Sequence, residues 1–448
     1  MISKSIPSEL SQFSTADERR QEIKEAMQLC RAGTLALFED IDRTTFSQQP
    51  HPEFSPIGWH LGHIGYAEAL WLLEHCAKSQ LPPLTKEGKS IPYRRLLAAD
   101  GLPKHERVNL PSLSEICVYL DTVRKEVFDY LEIAPLDEQE RLWRFLIQHE
   151  SQHSEIIFFL LQLQRWSSVN LQSLKTQFSE TQQITDNGQL TETIEIPAGE
   201  FEMGNDTIDA LDNERPCHRV YLDTYQIDRY PVTCGQYRLF MEAGGYQNSQ
   251  WWTPAGWEWL QANQFTQPLY WREDSAWDDR PVCGVSWYEA DAFARFVGKR
   301  LPTEAEWEKA ASWDAAANRR RTYPWGEEKP NAHLCNHDWI KQKQQPNSPI
   351  QNPATPVNAY PAGQSAYGLY DTLGNVWEWT STWFDGYEGF EYYPYRGYSQ
   401  AYFDRQHRVL KGGSWATRPW ALRCSFRNWY LPGVRQILAG FRCAIGRV

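Results

Sequence analysis

Tryptophan is distributed very unevenly along this chain, and the imbalance constrains the fold more than any other feature of the sequence. Of the 21 tryptophans, four precede residue 190 and 17 follow it. A chain of 448 residues also exceeds what a single hydrophobic core organises. A polar stretch rich in Ser, Thr and Gln, residues 167–192, separates the two parts. We therefore predict two domains, residues 1–170 and 193–448, joined by a linker over residues 171–192.

The overall composition argues against several classes of protein. The formal net charge is −12 and no basic block is present, which disfavours a nucleic-acid partner. No apolar run approaches the roughly 18 residues that a membrane span needs, and the polar start does not resemble a secretory signal. The nine cysteines are scattered without a CxxC pair. We expect a reduced, cytoplasmic protein that binds neither nucleic acid nor membranes.

The first half has the pattern of helices. Two capping boxes, Thr15 with Glu18 and Ser112 with Glu115, precede runs in which apolar residues recur every three or four positions. Ser55-Pro56 is expected to supply an N-cap and a proline at the first helical position, and Asp137 opens a fourth candidate helix. Four helices of this kind predict an all-α, up-down bundle.

The second half has a different sequence pattern. Short β-rich runs lie among Gly, Pro and aromatic clusters, and apolar residues at helical spacing return only in places. This mixture predicts an α+β domain with much irregular loop. The segment from His333 to Pro356 is expected to be a surface excursion. The predicted strands are Glu192–Ile196, Arg219–Ile227 and Arg408–Lys411, and the predicted helices are Thr233–Ala243, Trp287–Val297 and Thr303–Ala311.

Histidines on two predicted helices suggest a metal site. His149 and His153 are four residues apart and fall on the same stripe as the apolar residues of their helix, so both imidazoles should point into the bundle. Two histidines in this arrangement can bind one metal ion, and a facing helix can supply a third ligand. His63 is the natural candidate, and His60, three residues away, could compete with it.

The same segment matches the HExxH pattern of zinc metalloproteases. Ile156 and Phe159 occupy the positions at which the extended protease motif has Gly and His, and the next acidic residue after Glu155 is Glu180. Glu150 lies about 100° around the helix from His149, which suits a residue that supports the site or faces solvent better than a catalytic base. The protease interpretation is therefore disfavoured.

Eight motifs stand in order along the second half. They are IPAGEFEMGND (196–206), YQIDRYPVTCGQY (225–237), RPVCGVSWYEADAFARF (280–296), RLPTEAEWEKAA (300–311), YPWG (323–326), GNVWEWT (374–380), RVLKGGSW (408–415) and GFRCA (440–444). With these motifs the second half closely resembles the formylglycine-generating-enzyme/sulfatase-modifying-factor family, whose fold is a variant of the C-type lectin fold. The resemblance implies that formylglycine formation requires two cysteines, and Thr417 and Leu422 stand at those positions here, so this activity is not expected.

The first half resembles a DinB-type metal-binding bundle, in the segments Ser55–Leu73 and His149–His153. Its fusion to the second domain is similar to the sulfoxide synthases of ergothioneine biosynthesis, the hercynine oxygenases. The resemblance implies that His63, His149 and His153 bind one Fe(II). It implies a reaction that uses O2 to join a thiol sulfur to the imidazole carbon between the ring nitrogens of hercynine (Nα-trimethylhistidine), giving a sulfoxide.

The resemblance also assigns substrate and catalytic residues. Gln152 and the pair Asn428-Trp429 match the hercynine-binding positions, and Trp429 would receive the trimethylammonium group by a cation–π contact. Tyr387, in the segment YEGF with Phe390, matches the active-site tyrosine and its substrate-side neighbour. The alternatives for the tyrosine are Tyr392, Tyr393 and Tyr395, which follow closely, and Tyr93 of the bundle, since some relatives use a bundle tyrosine.

The thiol-binding side departs from the family pattern. Relatives that use γ-glutamylcysteine resemble one another in two arginines three apart and an aspartate after the Asn-Trp pair. Those positions hold Lys104, Arg107 and Tyr430 here. Lysine lacks the fork with which arginine binds a carboxylate, and tyrosine cannot pair with an ammonium group as aspartate does. The donor is therefore expected to be cysteine, γ-glutamylcysteine or a selenium analogue.

Four alternatives remain at this point. Two keep the chemistry but change a substrate, namely a selenoneine synthase that takes a selenosugar and an ovothiol-type enzyme that acts on histidine. A third is a non-catalytic, lectin-like binding protein whose bundle is only structural. The fourth is a zinc-dependent thiol transferase or hydrolase of the DinB type.

Overall fold

The computed structural model describes residues 15–173, 192–338 and 354–446. Its first half is helical, with one short antiparallel hairpin that the sequence pattern did not predict, and α3 continues as a π-helical stretch over Ala69–Cys76. The elements in chain order are α1 (Ala16–Ala36), α2 (Arg43–Ser47), α3 (Ile57–Glu68), β1 (Leu84–Lys86), β2 (Lys89–Ile91), α4 (Arg94–Leu97), α5 (Leu113–Leu131) and α6 (Leu136–Ser173).

Helix starts follow the predicted signals in three of four cases. Both capping boxes are confirmed at the starts of α1 and α5, and α6 begins next to Asp137. The prediction for Ser55-Pro56 is wrong by one residue, since α3 begins at Ile57 with Pro56 as its N-cap. The reason is that the Ser55 hydroxyl accepts a hydrogen bond from Arg107 at 3.0 Å and is not used as a cap.

Four buried charged side chains, one from each long helix, contact one another in the interior of the bundle. Arg31 of α1, Glu68 of α3, Arg124 of α5 and Glu150 of α6 are each at most 9% exposed. Arg31 contacts Glu150 at 2.8 Å and Glu68 at 2.9 Å. Arg124 contacts Glu68 at 2.7 Å and Glu150 at 3.3 Å. Each buried charge therefore has two opposite partners, as burial in an apolar interior requires. We call these four residues the core charge cluster.

The second half is α+β, with two main sheets and two further hairpins. The elements are β3 (Thr193–Ile196), β4 (Gly199–Met203), β5 (His218–Leu222), β6 (Tyr225–Asp228), α7 (Cys234–Glu242), α8 (Pro254–Asn263), α9 (Trp287–Phe296), α10 (Glu304–Ser312), β7 (Trp313–Asp314), β8 (Arg319–Arg320), β9 (Trp377–Trp383), β10 (Arg408–Lys411), β11 (Asn428–Tyr430), β12 (Ala439–Gly440) and β13 (Ala444–Ile445). The four-stranded sheet has the order β11-β10-β9-β12, and the three-stranded sheet has the order β13-β6-β3.

Two predicted loop regions differ from the structure at their edges. Helix α6 continues to Ser173, three residues into the predicted linker, and residues 174–191 lie outside the described residues. Within the predicted excursion His333–Pro356, the segment Leu334–Asp338 is buried, and residues 339–353 lie outside the described residues. The prediction of a surface segment is therefore wrong for its first part, because Asn336 hydrogen-bonds to Asn375 in the interior at 3.2 Å.

Helix α6 lies at the interface between the two halves. Gln148 accepts a hydrogen bond from Arg423 at 2.8 Å, and Arg144 forms an ion pair with Asp209 at 3.1 Å. One continuous hydrophobic cluster contains buried residues of both halves. Helix α6, which carries the two predicted metal ligands, therefore contacts both the bundle and the second domain. Nowhere in the described ranges is a helix long and apolar enough to span a bilayer.

Candidate metal centre and active site

Three histidine side chains converge in the interior of the bundle. His63 lies on α3, while His149 and His153 lie one turn apart on α6. The candidate ligand atoms of all three rings lie within 4.8 Å of one another, and the Nε2 atoms of His149 and His153 are 3.2 Å apart. Nitrogens at about 2.0–2.1 Å from one ion would have separations of this order. The structure thus brings the three predicted metal ligands together.

Two of the three histidines are oriented by contacts of Nδ1, the ring nitrogen that does not face the centre. The Nδ1 of His63 lies 2.6 Å from the Leu97 carbonyl oxygen. A carbonyl only accepts, so Nδ1 carries the proton and Nε2 presents a lone pair to the centre. The Nδ1 of His153 lies 2.8 Å from the Nδ1 of His60. His60, which the sequence allowed as a competing ligand, therefore contacts a ligand histidine instead.

An aromatic side chain packs on the His63 ring, and a cationic side chain packs on that aromatic ring in turn. The Trp59 ring stacks on the imidazole at 4.6 Å and 11°, and the Arg107 guanidinium lies 4.1 Å from the Trp59 ring centroid. Arg107 also donates to the Ala99 carbonyl at 2.6 Å and to the Ser55 hydroxyl at 3.0 Å. The predicted carboxylate-binding arginine is thus engaged with the protein and does not present a free fork.

Burial controls the charge of the three ligand histidines. It lowers the pKa of His63 to about 4, and it lowers the pKa values of His149 and His153 well below the usual value. In each ring the largest cause is the loss of water around the protonated form, and for the two histidines of α6 neighbouring imidazoles add to it. The rings are therefore neutral at pH 7, which is the form that binds a metal ion.

A small cavity of about 40 Å³ lies between α6 and β11. Gln152, Glu155, Asn428 and Tyr430 line it, together with aromatic and apolar side chains. Gln152 lies on the same turn of α6 as the two ligand histidines, while Asn428 and Tyr430 belong to the second domain. The structure therefore gathers these three predicted substrate residues around one space at the domain interface.

Tyr398 also lies at this interface, although it is not among the site residues predicted from the sequence. Its hydroxyl is 2.7 Å from the Gln152 side-chain nitrogen, and its ring lies edge-on to Trp429 at 6.0 Å and 87°. The side chain is buried, and burial raises its pKa well above 10. Spacing could not have singled it out, because it follows several other tyrosines in an irregular segment.

The loop that carries Tyr398 is fastened by a buried carboxylate. Asp212 accepts hydrogen bonds from the Ser399 hydroxyl at 2.6 Å and from the Tyr393 amide at 3.2 Å. Asn213 also donates to the Ser399 hydroxyl, at 3.0 Å. Tyr398 is therefore positioned by contacts that are distant in sequence, which explains why no local pattern reveals it.

Tyr387 and Phe390 have their partners within the second domain. The Tyr387 hydroxyl donates to Glu304 at 3.3 Å, and the Arg427 guanidinium lies 4.4 Å from its ring centroid. Arg427 in turn forms a buried ion pair with Glu304 at 2.7 Å. Phe390 packs against Phe403 at 4.9 Å. These contacts give no support to an active-site role, and the assignment of Tyr387 and Phe390 stays a prediction from the resemblance.

Tyr93 and Lys104 also have partners away from the centre. The Tyr93 hydroxyl donates to the Pro82 carbonyl at 2.5 Å, and its ring packs against Tyr119 at 5.3 Å. Lys104 donates to the Glu53 carbonyl at 2.6 Å and lies 3.6 Å from the Glu53 carboxylate. The structure therefore does not support Tyr93 as the active-site tyrosine, and it pairs Lys104 with Glu53 at the surface.

The geometry also bears on the protease and formylglycine interpretations. Glu150 belongs to the core charge cluster, where Arg31 and Arg124 occupy its oxygens, so it is neither a free base nor solvated. Thr417, at the first expected cysteine position, donates its hydroxyl to Glu155 at 2.7 Å. All nine cysteines are free thiols, as expected for a chain without a disulfide framework.

Two family models match the chain. The sulfatase-modifying factor enzyme 1-like domain matches residues 177–447, and the DinB superfamily matches residues 26–157. These matches confirm the predicted fold class of a helical bundle followed by a domain of the formylglycine-generating-enzyme type.

Three relatives match nearly the whole of this chain over nearly their own whole length. Hercynine oxygenase of Mycolicibacterium smegmatis is 37% identical over 444 residues, which cover 95% of this chain and 99% of that protein. Hercynine oxygenase of Mycobacterium tuberculosis is 39% identical over 92% of this chain and 96% of that protein. The corresponding protein of Mycolicibacterium thermoresistibile is 38% identical over 95% of each chain. These similarities confirm the predicted oxygenase class against a purely lectin-like binding protein. The chain belongs to the hercynine oxygenase family.

Proposed function

We propose that this chain is a non-haem Fe(II)- and O2-dependent sulfoxide synthase. It joins the sulfur of a small thiol to the imidazole carbon between the ring nitrogens of hercynine. The observation that carries the proposal is the meeting of the three-histidine centre with Gln152, Tyr398 and Asn428 at one interface. Membership of the hercynine oxygenase family supports the substrate.

The metal-binding part of the proposal rests on three neutral nitrogens. His63, His149 and His153 would hold the ion, and three protein ligands leave positions for substrates and O2. Iron supplies the redox chemistry with O2, which zinc on the same nitrogens does not provide. The Leu97 carbonyl and His60 hold His63 and His153 in the required orientation.

Residues from both domains would bind hercynine. Gln152 and Asn428, one from each domain, both line one cavity and offer amide donors and acceptors to the two nitrogens of an imidazole ring. Trp429 offers an aromatic face for the trimethylammonium group. Its orientation is fixed by stacking on Phe384 at 4.2 Å and 6°. The substrate would therefore bridge the bundle and the second domain.

Tyr398 is the proton donor in this proposal. Because burial raises the pKa of its hydroxyl well above 10, the group remains protonated at neutral pH. The contact with Gln152 at 2.7 Å holds the hydroxyl next to the substrate position. From there Tyr398 can transfer its proton to an oxygen atom that gains negative charge during the reaction.

The surroundings of the thiol side favour cysteine as the donor. Lys104 is paired with Glu53, Arg107 is engaged with backbone carbonyls, and Tyr430 is an uncharged phenol at neutral pH whose pKa burial raises further. The groups that would bind the additional carboxylate of γ-glutamylcysteine are therefore occupied or absent at these three positions. γ-Glutamylcysteine is the second candidate, since Arg107 is retained.

A product assay tests the proposal. Iron-loaded protein would be incubated in air with hercynine and equal concentrations of cysteine and γ-glutamylcysteine, and the products would be identified by mass spectrometry. We expect a cysteine-derived hercynine sulfoxide, and none with zinc-loaded protein. A γ-glutamylcysteine adduct would overturn the donor assignment, and the absence of any sulfur adduct with iron would overturn the proposed function.

A further inference from the structure

A carboxylate from the metal-bearing helix is inserted into the second domain. Glu155 lies two residues beyond His153 on α6 and is 8% exposed. Its Oε1 accepts hydrogen bonds from Trp377 Nε1 at 2.8 Å and from the Ser414 hydroxyl at 2.5 Å. Its Oε2 accepts from the Thr417 hydroxyl at 2.7 Å. All three donors belong to the second domain, and we call them the glutamate seat.

The glutamate seat is itself held firmly. The Ser414 amide donates to the Thr417 hydroxyl at 2.8 Å, and the Ala416 amide donates to the Ser414 hydroxyl at 3.1 Å. Trp377 begins β9, in the centre of the four-stranded sheet. The seat is therefore a tight turn beside a sheet, and a carboxylate bound there has little freedom to move.

This attachment acts on the turn of α6 that forms the active site. Gln152, His153 and Glu155 lie within one helical turn, which rises about 5.4 Å. The three metal ligands belong to the bundle, whereas Asn428 and Trp429 belong to the second domain. Holding Glu155 therefore fixes the rotation and height of the ligand-bearing turn relative to the residues proposed to bind hercynine.

We propose that Glu155 is a positioning residue that, through the glutamate seat, sets the distance between the three-histidine centre and the Asn428-Trp429 side of the active site. The inference rests on the proposed function, because hercynine is the ligand that both sides bind. It goes beyond that function in assigning a role to a carboxylate that is not a metal ligand. It also gives a use to Thr417, which stands where formylglycine formation would need a cysteine.

The substitution T417V in the full-length, iron-loaded protein tests this role. Valine keeps the shape of threonine but removes both the donor to Glu155 and the acceptor for the Ser414 amide. T417S keeps the hydroxyl and is the conservative control, while T122V is a matched control on α5, where the hydroxyl only donates to the Val118 carbonyl at 2.8 Å. Hercynine binding would be measured anaerobically by calorimetry, and Fe(II) affinity would be measured separately.

We expect T417V to weaken hercynine binding by up to about tenfold, because only part of the free energy of one charge-assisted hydrogen bond within the protein is coupled to ligand binding. Fe(II) affinity should remain within about twofold, because all three ligands lie on the bundle. T417S should restore hercynine binding, and T122V should not change it. Unchanged hercynine affinity in T417V, even with a lower melting temperature, would overturn the proposal, as would a parallel loss of Fe(II) affinity.

A second measurement does not depend on hercynine. Hydrogen–deuterium exchange of a peptide spanning residues 149–157 should be faster in T417V than in T417S, without a change in α5. Unchanged exchange would overturn the positioning role. If the wild-type protein fails to bind hercynine, the proposed function fails, while this exchange comparison still decides whether the seat holds the helix turn.

Discussion

Tyr398 places a hydroxyl 2.7 Å from Gln152 on the metal-bearing helix. The substitution Y398F removes this proton donor and keeps the ring against Trp429. We expect product formation to fall about 10²- to 10⁴-fold, the usual effect of losing a general acid, with a smaller change in hercynine affinity. Y387F is the matched control, because that hydroxyl contacts Glu304, and it should retain most activity. Single-turnover product analysis would measure both, and equal losses would contradict the assignment.

Asp212, which fastens the Tyr398 loop, should make stability depend on pH. Burial raises its pKa from 3.8 to about 6. Folding therefore favours the protonated form, so the contribution of this group to the free energy of unfolding decreases as pH rises from about 4 to about 6, by about 3 kcal/mol in total. Asparagine cannot ionise, so the difference between wild type and D212N in denaturant unfolding should follow this curve. A difference that is constant over this pH range would contradict the prediction.

The site residues that could be predicted from the sequence are those whose positions follow from regular spacing along a helix. His149 and His153 follow from the four-residue spacing of a helix, and His63 lies on a second helix with its own cap and apolar pattern. Tyr398 could not be found in this way, because Asp212 and Gln152 position it over separations of about 180 to 250 residues. The resemblance led instead to Tyr387, whose segment matches the motif but whose side chain packs within its own domain.

At the level of helices, the core charge cluster should determine how the bundle assembles. Substituting E150Q removes one of its two carboxylates and leaves Arg31 and Arg124 to share Glu68. Breaking a buried ion pair on one side costs about 3–5 kcal/mol, so we expect a loss of this size in denaturant unfolding. The exposed Glu138, in the first turn of the same helix, provides the control E138Q, which should cost less than about 1 kcal/mol. Similar losses in both variants would show that the cluster does not contribute specifically.

Elements with strong caps and clear periods were the predictable ones. α1 and α5 begin at their capping boxes, and α7, α9 and α10 lie where helical spacing returned. The hairpin β1–β2 was missed because two three-residue strands carry too little alternation to be recognised. α8 was missed although Thr253 and Pro254 form a standard start signal, because the tryptophans that follow resemble the surrounding aromatic loops.

Across the whole molecule, the two domains share buried contacts that neither could satisfy alone. Phe159 of the bundle and Ile437 and Leu438 of the second domain line the same cavity and belong to one hydrophobic cluster. Arg423, buried in the second domain, donates to Gln148 of α6 at 2.8 Å. Separation would expose apolar surface and leave buried polar groups without partners. We therefore expect that neither domain is stable without the other.

This arrangement predicts that the chain unfolds in a single thermal transition and that metal bound to the bundle stabilises both domains. At an Fe(II) concentration 100 times its dissociation constant, binding should add about 2.7 kcal/mol. For a chain of this size that corresponds to a rise in Tm of about 3 °C, reversed by a chelator. Differential scanning calorimetry under anaerobic conditions would measure both properties. H149A should keep the single transition but lose the metal-dependent rise. Two separate transitions, with only one of them sensitive to Fe(II), would show that the domains unfold independently despite the contacts of α6.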